Sequence, residues 1–186
     1  MVKNMDAVEE LLHQLGSNDP ILRENAAYVL GEMASEAQKM ASNTLKSNPQ
    51  LSAINILCDE NVKQRVAEAV RFALTDADPW VRGNAADALG KLGDKQAIES
   101  LSKLIHDQEN IVRYSAAVAL GMIDTEASAV HLVAALKDRD WSVRLSAAKA
   151  FEKQPTKNAI AALKNATNDK NPDVREKCLA ALAQLS

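Results

Sequence analysis

The sequence predicts an all-α fold, an α-solenoid of about six helix–turn–helix repeats, and three observations support this prediction. A segment that runs from an aspartate to an arginine recurs four times, with its arginines 31 residues apart at positions 82, 113, 144 and 175. The chain length of 186 residues equals six such periods. Aromatic residues make up 3% of the chain, with six glycines and five prolines, which disfavours an all-β sandwich or barrel.

Each repeat arginine starts the same helical pattern. Offsets of −1, +3, +4 and +7 from the arginine share one face of an α-helix, which we call helix B. Small residues at +3 and +4 are followed by a large apolar residue at +7. A second apolar helix, helix A, precedes each arginine. The +7 residues are Leu89, Leu120, Phe151 and Leu182, and the aligned helix A residues are Val70, Leu101, Leu132 and Leu163.

The repeats divide the chain into units of about 5–34, 35–61, 62–93, 94–124, 125–154 and 155–186, and we expect them to form a single domain over 1–186. The first helix B contains Arg23 and is followed by Ala26, Ala27 and Leu30. Arg23 and Arg82 are 59 residues apart, or 31 + 28. One degenerate unit, 35–61, which lacks the arginine, is therefore predicted between them.

Helix-start signals occur before several of the predicted B helices. Asp78 is a predicted N-cap followed by Pro79, which needs no N–H partner in the first turn. The pairs Asp19-Pro20 and Asn171-Pro172 match this signal, whereas Asp140 is followed by Trp141 in the proline position and Glu109 is a poorer cap. Gly90 and Gly93 flank a helix end and are interpreted as C-cap glycines.

An aspartate lies six residues before each of the four regularly spaced arginines. A guanidinium can bind both oxygens of a carboxylate in the same or a neighbouring turn, so the repetition predicts a structural ladder of ion pairs. A row of arginines that binds an anion is the alternative, and the nearby acids favour the ladder. Its predicted members are Arg23, Arg82, Arg113, Arg144, Arg175, Asp76, Asp107, Asp138 and Asp169.

The opposite face of helix B is the candidate partner-binding surface. Offsets of −2, +1, +2, +5 and +9 point away from the predicted core, and they hold tryptophan, tyrosine and methionine beside polar residues. Such a patch is typical of a protein interface; the alternative is that these side chains pack against adjacent repeats. The candidates are Trp80, Asn84, Asp87, Ile111, Tyr114, Ser115, Val118, Met122, Leu145, Ser146 and Lys149.

Composition and short motifs restrict the function classes. A net charge of −3 gives no global basic excess of the kind that supports nucleic-acid binding, and it leaves a local basic groove as an alternative. The sequence contains no apolar run of the kind that indicates a signal peptide or a membrane helix. Cys58 and Cys178 lie far apart, without metal-ligand spacing. We therefore expect a cytoplasmic protein with reduced thiols, no metal, no cofactor, no membrane association and no catalytic residues.

The segment from Asp76 to Gly90, Asp-x-Asp-Pro-x-Val-Arg-x-x-Ala-Ala-x-Ala-Leu-Gly, resembles the short HEAT-like repeats of the phycobilisome-lyase type (PBS lyase HEAT-like repeats). The resemblance is strong over 62–186, clear over 5–34 and weak between them. It implies a right-handed α-solenoid whose B helices line the concave side. Proteins similar to this one mostly act as scaffolds or adaptors, and the family fixes the fold better than the function.

We therefore expect a non-enzymatic scaffold that binds a protein or peptide partner through the concave face. One alternative is an accessory or catalytic subunit of a bilin-lyase-like enzyme, and a further one is a DNA-binding HEAT-like protein. The related deoxyhypusine hydroxylases use His-Glu pairs as iron ligands. None of the three histidines, His13, His106 and His131, is followed by glutamate, so di-iron hydroxylase activity is not expected.

Overall fold

The computed structural model describes residues 2–42, 57, 59–123 and 125–185, and these residues form α-helices and turns without a β-strand. The predicted all-α fold is confirmed. Two short 3-10 helices lie at Lys95–Ala97 and Lys157–Ala159. The α-helices are α1 (Val2–Leu15), α2 (Pro20–Ser42), α3 (Glu60–Ala73), α4 (Pro79–Leu92), α5 (Ile98–Leu104), α6 (Asn110–Ile123), α7 (Glu126–Ala135), α8 (Trp141–Lys153), α9 (Ile160–Ala166) and α10 (Pro172–Ala183).

The chain divides into two compact units, Met1–Asp94 and Lys95–Ser186. In each unit the odd-numbered helices are A helices and the even-numbered ones are B helices. Each A helix packs on the B helix that follows it, and successive B helices pack on one another: α2 on α4 in the first unit, and α6 on α8 and α8 on α10 in the second. This stacking of helix pairs is the arrangement of an α-solenoid. The single domain over 1–186 stays a prediction.

The core of each unit follows the predicted offsets from the repeat arginine. The paired alanines at +3 and +4 are buried, because B helices approach closely only where side chains are small. Leu182, the +7 residue of the last pair, is only partly buried. The buried alanines of the regular repeats are Ala85, Ala86, Ala116, Ala117, Ala147 and Ala148, and the buried +7 residues are Leu89, Leu120 and Phe151.

The first helix pair stacks directly on the pair α3–α4. Arg23 of α2 binds Asp76, 53 residues ahead, whereas the equivalent pairs of the second unit span 25 residues. Helix α2 also continues to Ser42, past the expected boundary at 34. Helices α2 and α4 therefore pack on each other directly, and the described residues of the predicted degenerate unit 35–61 do not lie between them. This predicted unit contributes the end of α2 and the buried side chain of Leu57; residues 43–56 and 58 lie outside the described residues.

The helix termini follow local sequence signals. Asp78 and Asp140 accept hydrogen bonds from the N–H groups of Trp80 and Ser142, each at 2.8 Å. Gly93 ends α4 with a φ of 66°, a left-handed conformation that glycine adopts without a Cβ penalty. The C-cap interpretation of Gly90 is wrong, since this residue is buried inside α4. Two further caps, Asp59 for α3 and Thr125 for α7, were not predicted.

Candidate functional site

The repeat arginines connect successive helix pairs within each unit. The Arg113 Nε and Nη2 atoms donate to the two carboxylate oxygens of Asp138 at 2.8 and 3.1 Å. Its Nη1 donates to the carbonyl oxygens of Asp107 and Gln108, both at 3.0 Å. The guanidinium thus binds the turn before its own helix and the aspartate of the next repeat at once. Arg144 with Asp169, and Arg23 with Asp76, repeat this geometry.

The aspartates of these pairs also organise the turns in which they lie. Asp76, Asp138 and Asp169 each accept a backbone N–H from two residues ahead at 2.8 Å. The side-chain hydrogen bond from Arg144 is the main cause of a lowered pKa at Asp169, and Arg23 lowers the pKa of Asp76 in the same way. The guanidiniums of Arg23, Arg113 and Arg144 are thus each bound by a carboxylate of the protein. Such contacts suit a structural ladder rather than an anion site.

The two remaining ladder arginines bind the turn before their own helix. Arg82 Nη1 donates to the carbonyl oxygens of Asp76 and Ala77 at 2.8 and 3.1 Å. Arg175 Nη1 makes the same two contacts with Asp169 and Lys170, at 2.8 and 3.1 Å. Asp107 accepts the backbone N–H of Glu109 at 2.9 Å. The turn contact therefore recurs in every repeat that has the arginine.

A groove of about 690 Å³, the α6–α8 groove, lies between α6 and α8 in the second unit and reaches Lys177 of α10. Its α6 wall consists of Tyr114, Val118 and Met122, and its α8 wall of Trp141, Leu145, Lys149 and Lys153. Within each wall the residues are four apart and therefore share one helix face. The remaining lining residues are Gly121, Ser142, Ser146, Ala150 and Glu152.

The walls of the groove run in the same direction. Asn110, at the start of α6, donates to the carboxylate of Asp140, just before α8, at 2.9 Å. Near the other end, a Cβ atom built on Gly121 would lie 2.8 Å from the Cβ of Ala150. Glycine at this position therefore lets α8 approach α6 closely beneath the groove. Tyr114 and Trp141 lie toward one end and Met122 and Lys153 toward the other.

Large apolar side chains on both walls of the groove face solvent. Tyr114 is 40% exposed, Met122 47% and Trp141 50%. The two serines are used locally: Ser142 Oγ donates to Asp140 at 2.7 Å, and Ser146 Oγ donates to the carbonyl of Ser142 at 3.0 Å. The groove thus presents apolar contact area, and the protons of its two serine hydroxyls are already donated to protein acceptors.

The charged residues of the groove lie at its Lys153 end. Lys177 binds the Glu152 carboxylate at 3.1 Å, and this hydrogen bond raises the pKa of Lys177. Lys149 and Lys153 are exposed and form no ion pair with any residue that the structure describes. Two unpaired positive charges therefore lie beside the apolar walls.

The corresponding face of the first unit differs. Lys91 on α4, nine residues after its repeat arginine, lies 2.7 Å from both Glu32 on α2 and Asp87 on α4. These positions correspond to Lys153, Met122 and Lys149 in the second unit, where no acid is present. In the first unit a lysine and the two carboxylates that bind it therefore occupy the positions that hold Met122, Lys149 and Lys153 in the α6–α8 groove.

The structure brings together only part of the predicted partner-binding set. Six of the predicted residues line the α6–α8 groove, while Ile111 and Ser115 are half-buried elsewhere on α6. In the first unit, Trp80 is 54% exposed, Asn84 is half-buried, and Asp87 is held by Lys91. The six groove residues are Tyr114, Val118, Met122, Leu145, Ser146 and Lys149.

Sequence reasoning missed Trp141 and Lys153 as groove residues. The repeat pattern identifies Trp141 only as the occupant of the proline position at a helix start. Its separations of four and eight residues from Leu145 and Lys149 would have placed all three on one helix face. The same spacing includes Lys153.

The described residues form neither a metal-binding group nor a membrane-crossing helix. They contain no group of three or more histidine, cysteine, aspartate or glutamate side chains that could hold a metal ion. None of the described helices combines the length and apolar character needed to cross a membrane.

A family model for HEAT repeats matches three overlapping stretches, residues 43–121, 67–139 and 129–186. The chain belongs to the HEAT repeat family. The predicted HEAT-like α-solenoid is therefore confirmed. No curated protein matches this HEAT repeat chain.

Solved structures share the fold of this HEAT repeat protein at low sequence identity. The complex of CpcE and CpcF of phycocyanin lyase from Nostoc sp. matches with a TM-score of 0.68 and 24% identity, over 96% of this chain and 65% of that chain. Human deoxyhypusine hydroxylase matches with a TM-score of 0.56 and 23% identity, over 96% of this chain and 73% of that chain. A designed armadillo repeat protein in complex with the peptide (KR)4 matches with a TM-score of 0.55 and 20% identity, over 96% of this chain and 99% of that chain.

These likenesses establish the fold alone, since every identity is below 25%. The fold is suited to protein binding, and it also occurs in the lyase and hydroxylase structures. The function must therefore be argued from the residues of this chain.

Proposed function

We propose that this HEAT repeat protein is a non-enzymatic adaptor that binds a protein or peptide partner in the α6–α8 groove. The observation that supports this proposal is the exposure of Tyr114, Met122 and Trp141 on both walls of one groove. Aromatic residues and methionine are enriched in interface cores, and tryptophan and tyrosine supply much of the binding energy there. We further propose that this groove lies on the concave face and that the protein is cytoplasmic.

The chemistry of the groove favours recognition over catalysis. A nucleophilic serine requires a base within hydrogen-bond reach. Ser142 donates to the N-cap carboxylate Asp140, whose pKa of about 2 makes it a weak base, and Ser146 donates to a backbone carbonyl. Both hydroxyls therefore maintain the structure of α8. The pre-formed walls, by contrast, offer apolar contact area without further ordering of the backbone.

The proposal is tested by affinity capture from the lysate of the native host, read by mass spectrometry. The baits are the wild type and a triple variant, Tyr114→Ala, Trp141→Ala and Leu145→Ala. A matched control removes three apolar side chains that do not line the groove, Phe72→Ala, Val130→Ala and Leu179→Ala. Phe72 is 77% exposed, and Val130 and Leu179 are each 56% exposed.

We expect one or more proteins to be captured by the wild type and by the control, and lost from the groove variant. Circular dichroism should show equal helicity for all three baits. Equal capture by wild type and groove variant would contradict the assignment of this groove as the binding site.

A bilin-lyase-like role is the second candidate function. The likeness to the phycocyanin lyase complex supports it, together with the two free lysines beside aromatic walls, which could bind the carboxylates of a linear tetrapyrrole. This role predicts that a bilin added to the protein changes its visible absorption spectrum, and that Lys149→Ala with Trp141→Ala removes the change. An unchanged spectrum at saturating protein would count against it.

A further inference from the structure

We infer that the α6–α8 groove takes an acidic peptide segment, whose apolar side chains lie on Tyr114, Val118, Met122 and Leu145 and whose carboxylates bind Lys149 and Lys153. This inference rests on the proposed function and specifies the chemistry of the partner. It follows from the order of residues along α8, the free charge of two lysines and the contrast with the first unit.

The α8 wall changes character along its length. Trp141 and Leu145 form an apolar half, and Lys149 and Lys153, one and two turns further on, form a basic half. Trp141 to Lys153 spans twelve residues, or about 18 Å at 1.5 Å per residue. A bound segment would therefore contact apolar residues along α6 and carry its acids near the Met122 end.

The two lysines are placed unfavourably in the free protein. Like charges four residues apart on a helix repel each other. Lys153 in the last turn of α8 is favoured by the helix dipole, but Lys149 lies one turn earlier. The carboxylate that could neutralise Lys149 from within α8, Glu152, is bound by Lys177. A partner carboxylate between Lys149 and Lys153 would relieve the repulsion and pair with both.

At the corresponding positions of the first unit, the positive charge of the lysine is paired with acids of the same chain. There Lys91 is held between Glu32 and Asp87. In the second unit the basic position is kept as Lys153, while the two acidic positions hold Met122 and Lys149. An apolar side chain and a second lysine thus replace the two acids and leave the basic charge unpaired, which is the complement of a segment that carries both apolar groups and acids.

The inference is tested by selecting peptides from a random display library of 16-residue sequences against the full chain. We expect the recovered peptides to be enriched in aspartate and glutamate together with apolar residues. Their affinity should fall at least tenfold for a chain with Lys149→Glu and Lys153→Glu, and fall with added salt. The matched control carries the same charge change on the A helices α5 and α9, Lys103→Glu and Lys164→Glu, and should bind as the wild type does.

The outcomes separate the inference from the proposed function. One outcome would overturn the acidic segment and leave the groove as the binding site. In that outcome the recovered peptides are not acidic and lose binding to the Trp141→Ala chain. They also bind the Lys149→Glu, Lys153→Glu chain as tightly as the wild type. Peptides that bind the Tyr114→Ala, Trp141→Ala, Leu145→Ala chain with unchanged affinity would overturn both. A library that yields no binder would also contradict both.

Discussion

Arg113 and Asp138 form a two-point ion pair that joins the starts of the helices α6 and α8. The two N–O distances are 2.8 and 3.1 Å, and the side chains are only 4% and 9% exposed. Through Nη1, Arg113 also binds the turn before α6. A single buried guanidinium therefore fixes the relative position of the helices that form both walls of the α6–α8 groove.

Replacing Arg113 with alanine should destabilise the protein strongly, because it leaves the buried carboxylate of Asp138 without its counter-charge. We expect the free energy of unfolding to fall by about 3 kcal/mol, measured by urea denaturation. Arg175→Ala is the matched control. Arg175 makes the same two carbonyl contacts, with Asp169 and Lys170, but pairs with no carboxylate that the structure describes. Equal losses for the two variants would show that the ion pair adds nothing to the turn contacts.

The sequence predicted the regular helix pairs well, because the 31-residue period and the helical offsets both follow from which face is buried. It identified the repeated arginines and nearby aspartates, but the sequence alone could not show which carboxylate each arginine binds; the structural role of the ladder stays a prediction. The sequence allows the guanidinium of Arg113 to bind either Asp107 in its own repeat or Asp138 in the next one. The stacking of the helix pairs brings the carboxylate of Asp138, rather than that of Asp107, to Arg113. The continuation of α2 to Ser42 likewise depends on its packing against α4.

The binding face was harder to predict, because exposure on helix B depends on which neighbour covers each position. Ile111 and Tyr114 both lie off the predicted core face, yet Ile111 is half-buried and only Tyr114 lines the groove. Trp141 occupies a helix-start position where a proline stands in other repeats. The repeat pattern therefore did not indicate that its side chain lines the groove. A charge pair between two helices, such as that of Lys91 with Glu32, also has no signature in a single sequence.

The stability of the protein should decrease in acid, in part through Asp140. The side-chain amide of Asn110, followed by the Ser142 hydroxyl and N–H, holds the pKa of Asp140 at about 2. In the unfolded chain an aspartate titrates near about 3.9. Because the folded pKa is the lower one, this stabilisation is complete above the unfolded value and is lost as the pH falls from about 4 toward 2.

Asp140→Asn should therefore lower the melting temperature at pH 7 and flatten its dependence on pH between 4 and 2. Thermal melts followed by circular dichroism across this range provide the measurement. Asp173→Asn, at an exposed position on α10, serves as the control. If Asp140→Asn and wild type lose stability in parallel as the pH falls, Asp140 does not contribute to the acid response.

Gly121→Ala should be destabilising even though alanine favours helices. The added Cβ would lie 2.8 Å from the Cβ of Ala150, so α6 and α8 would have to separate. Overpacking of this kind costs about 1–3 kcal/mol, against a gain of about 1 kcal/mol in helix propensity. We expect a net loss of about 1 kcal/mol by urea denaturation, and little change for Gly16→Ala, where the nearest atom would be 3.5 Å away.

A double-mutant cycle with Ala150→Gly separates the steric contact from propensity. If the two Cβ atoms clash, the double variant should be more stable than the sum of the single changes predicts, by at least about 0.5 kcal/mol. Additive effects would mean that the α6–α8 contact adjusts without strain.

Cys178 should react slowly with thiol reagents in the folded protein. Its side chain is fully buried on α10, and this burial raises the pKa of the thiol to about 11. At pH 8 only about one thiol in a thousand would then be ionised, and reagents attack the thiolate. In a Cys58→Ser background, labelling should therefore require local opening of α10. Because Arg144 binds Asp169 in the turn before α10 at 2.6 Å, Arg144→Ala should accelerate labelling more than Arg175→Ala does. Labelling of the folded wild type as fast as in denaturant would contradict this burial.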